Sequence, residues 1–221
     1  MAEPNQAIKQ LWQIIDTAPS SVLELRAIDP HRKQPPVTKH FRVTSCGSVE
    51  ACRTAFETHA LRLNVGGYNC YVVMNPINTE FRGRAAADVD ITCRKLLLVD
   101  IDRAATAKEP ATDAEVDAAR ETADRVVAYI GSMGIDNPIR TMSGNGHHIY
   151  YKLPEFPNDK NSTRVVESFL KNLANKFNNE AVKIDTTVSN ASRITKVVGT
   201  VARKGIESEN RPYRMAVIYE K

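Results

Sequence analysis

The apolar positions of this chain follow two rhythms. Ile8, Leu11, Trp12 and Ile15 recur at helical spacing, which predicts a helix over 5–16 with one buried face. SVLELRAI (21–28) alternates apolar with polar and predicts a strand. Pro30, Pro35 and Pro36 break regularity, so 29–39 reads as a loop. Ser48 is a candidate N-cap for a helix through about residue 60, with Ala51, Cys52, Ala55 and Phe56 as its apolar side. A Gly66-Gly67 turn then leads into a strand in YNCYVVMNP. The segment 76–94 is long and polar and carries three arginines, Arg82, Arg84 and Arg94; a loop of that length in a compact chain is usually functional or mobile.

The second half is more regular. Residues 95–101 are apolar enough for a strand buried on both faces. Thr112 and Glu115 have capping-box spacing, and Val116, Ala119, Ala123, Val127 and Ile130 continue as a helix that Gly131 or Gly134 ends. NPIRTMS and HHIYYKL read as two strands joined by a turn at Gly144-Asn145-Gly146. A helix over 159–178 aligns Val165, Phe169, Leu173 and Phe177. AVKID is a short strand ending on an acid, and RMAVIYE is a last strand. The order predicts a mixed α/β (α+β) fold, with a β-α-β-β-α-β core over about 95–190 and an N-terminal αβ module packed on it. The whole of 1–221 reads as one domain, with 1–93 as the N-terminal module and 94–221 as the second.

Composition narrows the class. With 221 residues, 42% hydrophobic and 25% charged, the chain has the balance of a soluble globular domain. Its apolar runs are too short to span a bilayer, and the N-terminus lacks a basic leader followed by an apolar stretch. Cys46, Cys52, Cys70 and Cys93 have no zinc-ribbon spacing, so reduced cysteines and a cytoplasmic location are expected. The formal net charge is +4. Lys183, Arg193, Lys196, Arg203, Lys204, Arg211 and Arg214 cluster near the C-terminus against Asp185, Glu207 and Glu209, a local basic face compatible with phosphate partners or a plain solvated surface.

Three short stretches carry candidate chemistry. In LLLVDID (96–102), Asp100 and Asp102 stand at i and i+2 of a strand, so both carboxylates share one face with Cα atoms about 6.6 Å apart. Like charges so placed repel, and a hard divalent cation relieves them; strand-end capping is the ordinary alternative. Asp185 ends a second strand and could complete a two-metal set. In MSGNGHH, a Ser143-Gly144 turn leaves amides open to an anion, and His148 stands just past it. In DTTVSNASRITKVVGT, Asn190, Arg193 and Lys196 follow Asp185 as in a polyphosphate cradle, or simply as a basic hairpin. A haloacid-dehalogenase-type D-x-D-x-T pattern is not met, because Ala104 stands where its threonine would be.

In this order and spacing the three stretches resemble the archaeo-eukaryotic primase superfamily, and NASRITKVVGT resembles the N-x-S-R-x-x-(Arg or Lys)-x-x-G-T pattern of its phage and plasmid members. The likeness runs from about 66 to 214. VVGT departs from it where relatives carry a proline before the glycine. The resemblance implies a two-lobed fold with an RRM-like catalytic half, and a DNA-dependent primase/polymerase. It implies two ions, Mg²⁺ or Mn²⁺, on Asp100, Asp102 and Asp185. His148, with Ser143 and Gly144 in the same turn, would meet the triphosphate of an incoming NTP or dNTP. Asn190, Arg193 and Lys196 would complete the nucleotide site. Arg82, Arg84, Arg203, Lys204 and Arg211 are candidates for a single-stranded DNA template track. A helicase domain or partner is expected, and no membrane. A non-catalytic nucleic-acid-binding module and a two-metal nuclease or phosphatase are the rival functions.

Overall fold

The computed structural model describes residues 4–105 and 108–220. Expectations resting on the extreme termini, 1–3 and 221, lie outside the described residues. The chain opens with consecutive helical turns, α1 (Pro4–Ala7), a 3₁₀ turn (Ile8–Gln10) and α2 (Leu11–Ile14). Ile8, Leu11 and Ile15 are buried as their spacing requires.

Strands β1 (Val22–Ile28), β2 (Val37–Arg42) and β3 (Asn69–Val73) begin the first sheet. Between β2 and β3 lie a helical turn, α3 (Val43–Cys46), and α4 (Val49–Val65). The Ser48 hydroxyl accepts the Ala51 N–H at 3.0 Å and caps α4. The helix runs a turn longer than its sequence suggests, and its inner face differs from expectation. Cys52, Phe56 and Ala60 are buried, whereas Ala51 and Ala55 are exposed. The reason is that Glu57 and Asn64 share the inner face: Glu57 accepts from the Trp12 indole at 2.5 Å, and Asn64 holds the backbone of Tyr68 and Val201. Polar side chains with partners can be buried, and a hydrophobicity pattern misassigns them.

The second sheet is built from β4 (Cys93–Arg103), β5 (Ile139–Met142), β6 (His147–Pro157) and β7 (Val182–Ile184), with α5 (Asp113–Gly131) and α6 (Lys160–Phe177) in the crossovers. The Thr112/Glu115 capping box forms, and Gly134 takes the left-handed backbone after α5. Along α6 the buried stripe is Val166, Leu170, Leu173 and Phe177; Val165 is 58% exposed. The expected 165/169 register is therefore one position off. Leu173 and Phe177 fit both registers, so the sequence could not separate them.

Two late segments rearrange the expected division of the chain. Strand β8 (Ile194–Lys196) leaves the second half and pairs with β3, giving a first sheet in the order β2-β1-β3-β8. RMAVIYE is divided into β10 (Arg214–Met215), which pairs with β9 (Val201–Ala202), and β11 (Val217–Glu220), which joins the second sheet in the order β11-β5-β6-β4-β7. All the pairings are antiparallel. One hydrophobic cluster runs through both sheets, from Ile8 and Leu25 to Ile101 and Leu170.

The 76–94 segment is an ordered strap. Ile77 bridges Ile91. Arg42 donates to the Thr79 carbonyl at 2.8 Å and to Phe81, and the buried Glu24 accepts the Ala86 N–H at 2.7 Å. These bonds seat the strap on β1 and β2.

Candidate functional site

Strand β4 is longer than expected, 93–103, so Asp102 lies within the ladder as the partner of Lys183, and Asp100 faces His148 of β6. Strand parity decides the rest. Val99 and Ile101 turn into the core, while Leu98, Asp100 and Asp102 line a cleft of about 640 Å³ between the two sheets. The same cleft receives Ser143, Asn145 and His148 from the β5–β6 hairpin, Arg193, Thr195 and Lys196 from around β8, and Arg203 and Lys204 after β9. Asn69 and Tyr71 of β3 and Asp29, Pro30 and Arg32 of the β1–β2 loop complete it. The excursion of β8 into the first sheet is what brings the basic residues over the acids.

The two acids differ electrostatically. Burial works against the charge of Asp100, but the His148 imidazolium outweighs it, helped by Arg193 and Lys204, so Asp100 is held below the ordinary carboxylate value. Asp102 is pushed up to about 6, first by burial and then by the charge of Asp100. Asp100 Oδ1 is buried without a hydrogen bond; the His148 Nε2 stands 3.4 Å away as an ion-pair contact. On its other side His148 Nδ1 meets the Tyr150 hydroxyl at 2.9 Å, which meets the Thr195 hydroxyl at 2.6 Å. This chain joins the two sheets and fixes the ring. Burial opposes the charge on His148, yet the Tyr150 hydroxyl and the Asp100 carboxylate push its imidazole up to about 10, so it is a cationic donor at neutral pH. His147 turns the other way and packs edge-on to Tyr219 at 5.0 Å.

Asp185 comes beside the pair without entering the cleft wall. Its N–H donates to the Asp100 carbonyl at 2.8 Å. Its carboxylate accepts from the Thr187 N–H at 2.8 Å and hydroxyl at 2.7 Å, and faces Arg193 at 3.4 Å. Among the described residues, no three His, Cys, Asp or Glu side chains form a ready cluster for one ion. Asp100 and Asp102 themselves do fit a divalent cation: one has an orphaned buried oxygen, and the other's carboxylate is pushed up to about 6 by burial and by the Asp100 charge, both of which a cation would relieve.

Glycines set the closeness of the hairpin. A Cβ on Gly146 would meet the Ile101 carbonyl, and the Asp102 carboxylate at 2.6 Å. Gly144 holds φ 109°, and a Cβ there would strike Ala202. The Ser143 N–H and hydroxyl both donate to the Gly146 carbonyl, at 2.9 and 3.2 Å, and close the turn.

Lys196 is 5% exposed, and burial brings its ammonium down to about 7, with Arg203 adding to the effect. Its ammonium donates to the Val201 carbonyl at 3.1 Å and lies 5.7 Å from the Tyr71 ring. The remaining expected residues lie outside the cleft wall. Asn190 reaches Asp88 at 3.4 Å and Ser192 at 3.3 Å, tying the strap to the Arg193 turn. Arg82 donates to the carbonyls of its own turn, Thr79 at 2.8 Å and Phe81 at 3.0 Å, and Arg84 is exposed on the same strap. Arg211 pairs with Glu115 at 2.9 Å and Glu109 at 3.3 Å. Sequence reading missed Tyr71, Thr195, Asn145 and Arg32. Tyr71 and Thr195 come together through the β3–β8 pairing, which carries no local signal, whereas Asn145 sits in the Gly144–Gly146 turn that the sequence does show.

Neither family profiles nor curated protein sequences match this chain. Solved structures do. The crystal structure of primase RepB′ superposes with a TM-score of 0.54 at 13% identity, covering 99% of this chain and 56% of that one. The chain thus spans little more than half of that primase's length. The RepB′ catalytic domain in complex with initiator DNA matches at 0.52 and 11% identity, over 99% of this chain and 85% of that one. The fold is that of a primase catalytic domain. The polymerase domain of Mycobacterium tuberculosis ligase D, in complex with DNA, shares this primase-type fold at a TM-score of 0.51 and 14% identity, covering 91% of this chain and 77% of that one. Among the described residues, no helix is long and apolar enough to cross a membrane.

Proposed function

We propose that this chain is a templated nucleotidyltransferase, a primase/polymerase that makes and extends short primers on single-stranded DNA. The observation that supports it best is the composition of one cleft: Asp100 and Asp102 on a strand face, His148 across from them, and Arg193 and Lys196 brought over from the other sheet. NTP or dNTP and a DNA template are the partners this reading requires, with a helicase domain or partner protein alongside and a phage or plasmid replicon as the setting.

Asp100 and Asp102 would hold a divalent ion, Mg²⁺ or Mn²⁺, and Asp185 would join for a second once it releases Arg193. Bound there, such an ion supplies Lewis acidity toward an attacking hydroxyl and a departing polyphosphate. The protein's own groups position and neutralise. His148, charged and steered by the Tyr150–Thr195 hydroxyls, donates to a phosphate oxygen beside the acids. Lys196, whose ammonium burial brings down to about 7, is favoured in its charged form by an arriving anion, so positive charge is held where the polyphosphate sits. Ser143 and Asn145 shape the wall, Asn145 accepting the Ala111 N–H at 2.9 Å.

The test is incorporation of labelled NTPs and dNTPs on single-stranded DNA, with and without a supplied primer, in Mg²⁺ or Mn²⁺. Wild type is expected to give short products, and Asp100→Ala/Asp102→Ala to give none. Strand shortening in place of incorporation would assign the site to a nuclease. Strand binding without either activity would assign it to a non-catalytic module.

A further inference from the structure

The β1–β2 loop, residues 29–36, is part of the cleft wall that this chemistry leaves without a role. Asp29, Pro30 and Arg32 line the same cleft as Asp100, Asp102 and His148. The loop is firmly built. The Asp29 carboxylate accepts the backbone N–H groups of His31 at 2.9 Å, Lys33 at 2.8 Å and Gln34 at 2.9 Å, and its carbonyl accepts that of Arg32 at 3.0 Å. The Asp29 charge is thereby engaged by the loop's own amides. Arg32 holds φ 54°, a left-handed conformation that L residues other than Asn and Asp seldom adopt. Its exposed guanidinium makes no hydrogen bond or ion pair among the described residues.

Two further cations are tied to the same corner. Ile28, which leads into the loop, is the cross-strand partner of Asn69. The Asn69 side chain accepts the Arg203 N–H at 2.8 Å and donates to the Arg203 carbonyl at 2.6 Å. Arg203 Nη1 is buried without an acceptor, and Lys204 follows it into the cleft wall. A buried guanidinium nitrogen lacking an acceptor is costly, and an entering anion satisfies it. Near the acids, Arg193, Lys196 and His148 already provide for a polyphosphate. The rim cations are left for another phosphate.

We propose that Arg32 forms, with Arg203 and Lys204, a phosphate clamp at the cleft rim, and that it takes the phosphodiesters of a single-stranded nucleic acid. Asp29 acts through the loop as the positioning residue. The proposal rests on the nucleotidyl-transfer reading for its ligand, but its test requires no turnover.

The experiment is fluorescence anisotropy of a labelled oligodeoxythymidine over a salt series, with wild type, Arg32→Ala, Arg32→Lys and Asp29→Ala. Thermal unfolding of each variant verifies folding. Arg32→Ala is expected to weaken binding roughly 3–10-fold and to lower the slope of log K against log salt by about 0.7, the value for one single-strand phosphate. Arg32→Lys is expected to keep the slope, and Asp29→Ala to weaken binding with the slope unchanged. A second arm follows a non-hydrolysable nucleoside triphosphate by thermal shift, where Arg32→Ala should match wild type. Loss in this arm with oligonucleotide affinity intact overturns the strand assignment in favour of nucleotide polyphosphate. Wild-type behaviour of Arg32→Ala in both arms, or a wild type that binds neither probe, overturns the clamp altogether. A wild type that binds the oligonucleotide through Arg32 yet incorporates no nucleotide would sink the transfer reading and leave the clamp standing.

Discussion

Asp102→Asn should stabilise the ion-free protein. The Asp102 carboxylate is raised from 3.8 to about 6, by burial first and the Asp100 charge next. Its folded-state value lies above its unfolded one, so the proton stabilises the fold at low pH, and that stabilisation is lost as pH rises through about 6. A shift of about two units corresponds to roughly 3 kcal/mol. Asp102 is partly exposed, and solvent screening reduces this to about 1–2 kcal/mol. Asparagine keeps the shape and removes the charge. For a chain of this size, that is a Tm increase of about 2–6 °C. The assay is thermal unfolding at pH 8 in chelator, repeated at pH 4 and with Mn²⁺. The variant should melt higher at pH 8 and converge with wild type at pH 4, where wild-type Asp102 holds its proton. Mn²⁺ should stabilise wild type and leave the variant nearly unmoved. A variant that melts at or below wild type at pH 8 would refute the claim that burial and the Asp100 charge together disfavour an ionised Asp102.

Two other substitutions test the geometry. Gly146→Ala would press a methyl group against the Ile101 carbonyl and the Asp102 carboxylate, so incorporation should fall about 10–100-fold with the misplaced acid; unchanged turnover would mean that Asp102 does not act from this position. Leu170→Ala should cost about 2–5 kcal/mol in denaturant unfolding and Val165→Ala less than about 0.5, since Leu170 is fully buried and Val165 is 58% exposed. Equal losses would restore the α6 register that the sequence suggests.

Much of the site was legible along the chain because its signals are local. The i, i+2 acids of LLLVDID share a face by strand geometry alone, and the Ser143–Gly146 turn sets His148 on β6 just past a hairpin only a few residues long, although its place opposite Asp100 comes from the long-range β4–β6 pairing. The Thr112/Glu115 box and the Ser48 cap formed for the same reason, their partners lying three residues away. The α4 and α6 faces were harder. Buried Glu57 and Asn64 are stabilised by distant partners, Trp12 and Val201, that no window of sequence contains.

The sequence by itself determined the identity of the acids, the histidine and the β-α-β-β-α-β order. The tertiary structure decided which cations they meet. Pairing β8 with β3 carries Arg193 and Lys196 across to the acids, and the Asn69 side chain brings Arg203 beside the β1–β2 loop. It also left Arg82, Arg84 and Arg211 outside that cleft wall, on a strap and in an ion-pair cluster. Basic side chains are alike in sequence. Long-range strand pairing, set by burial of both sheets against one core, determines which of them face an anion and which are already neutralised.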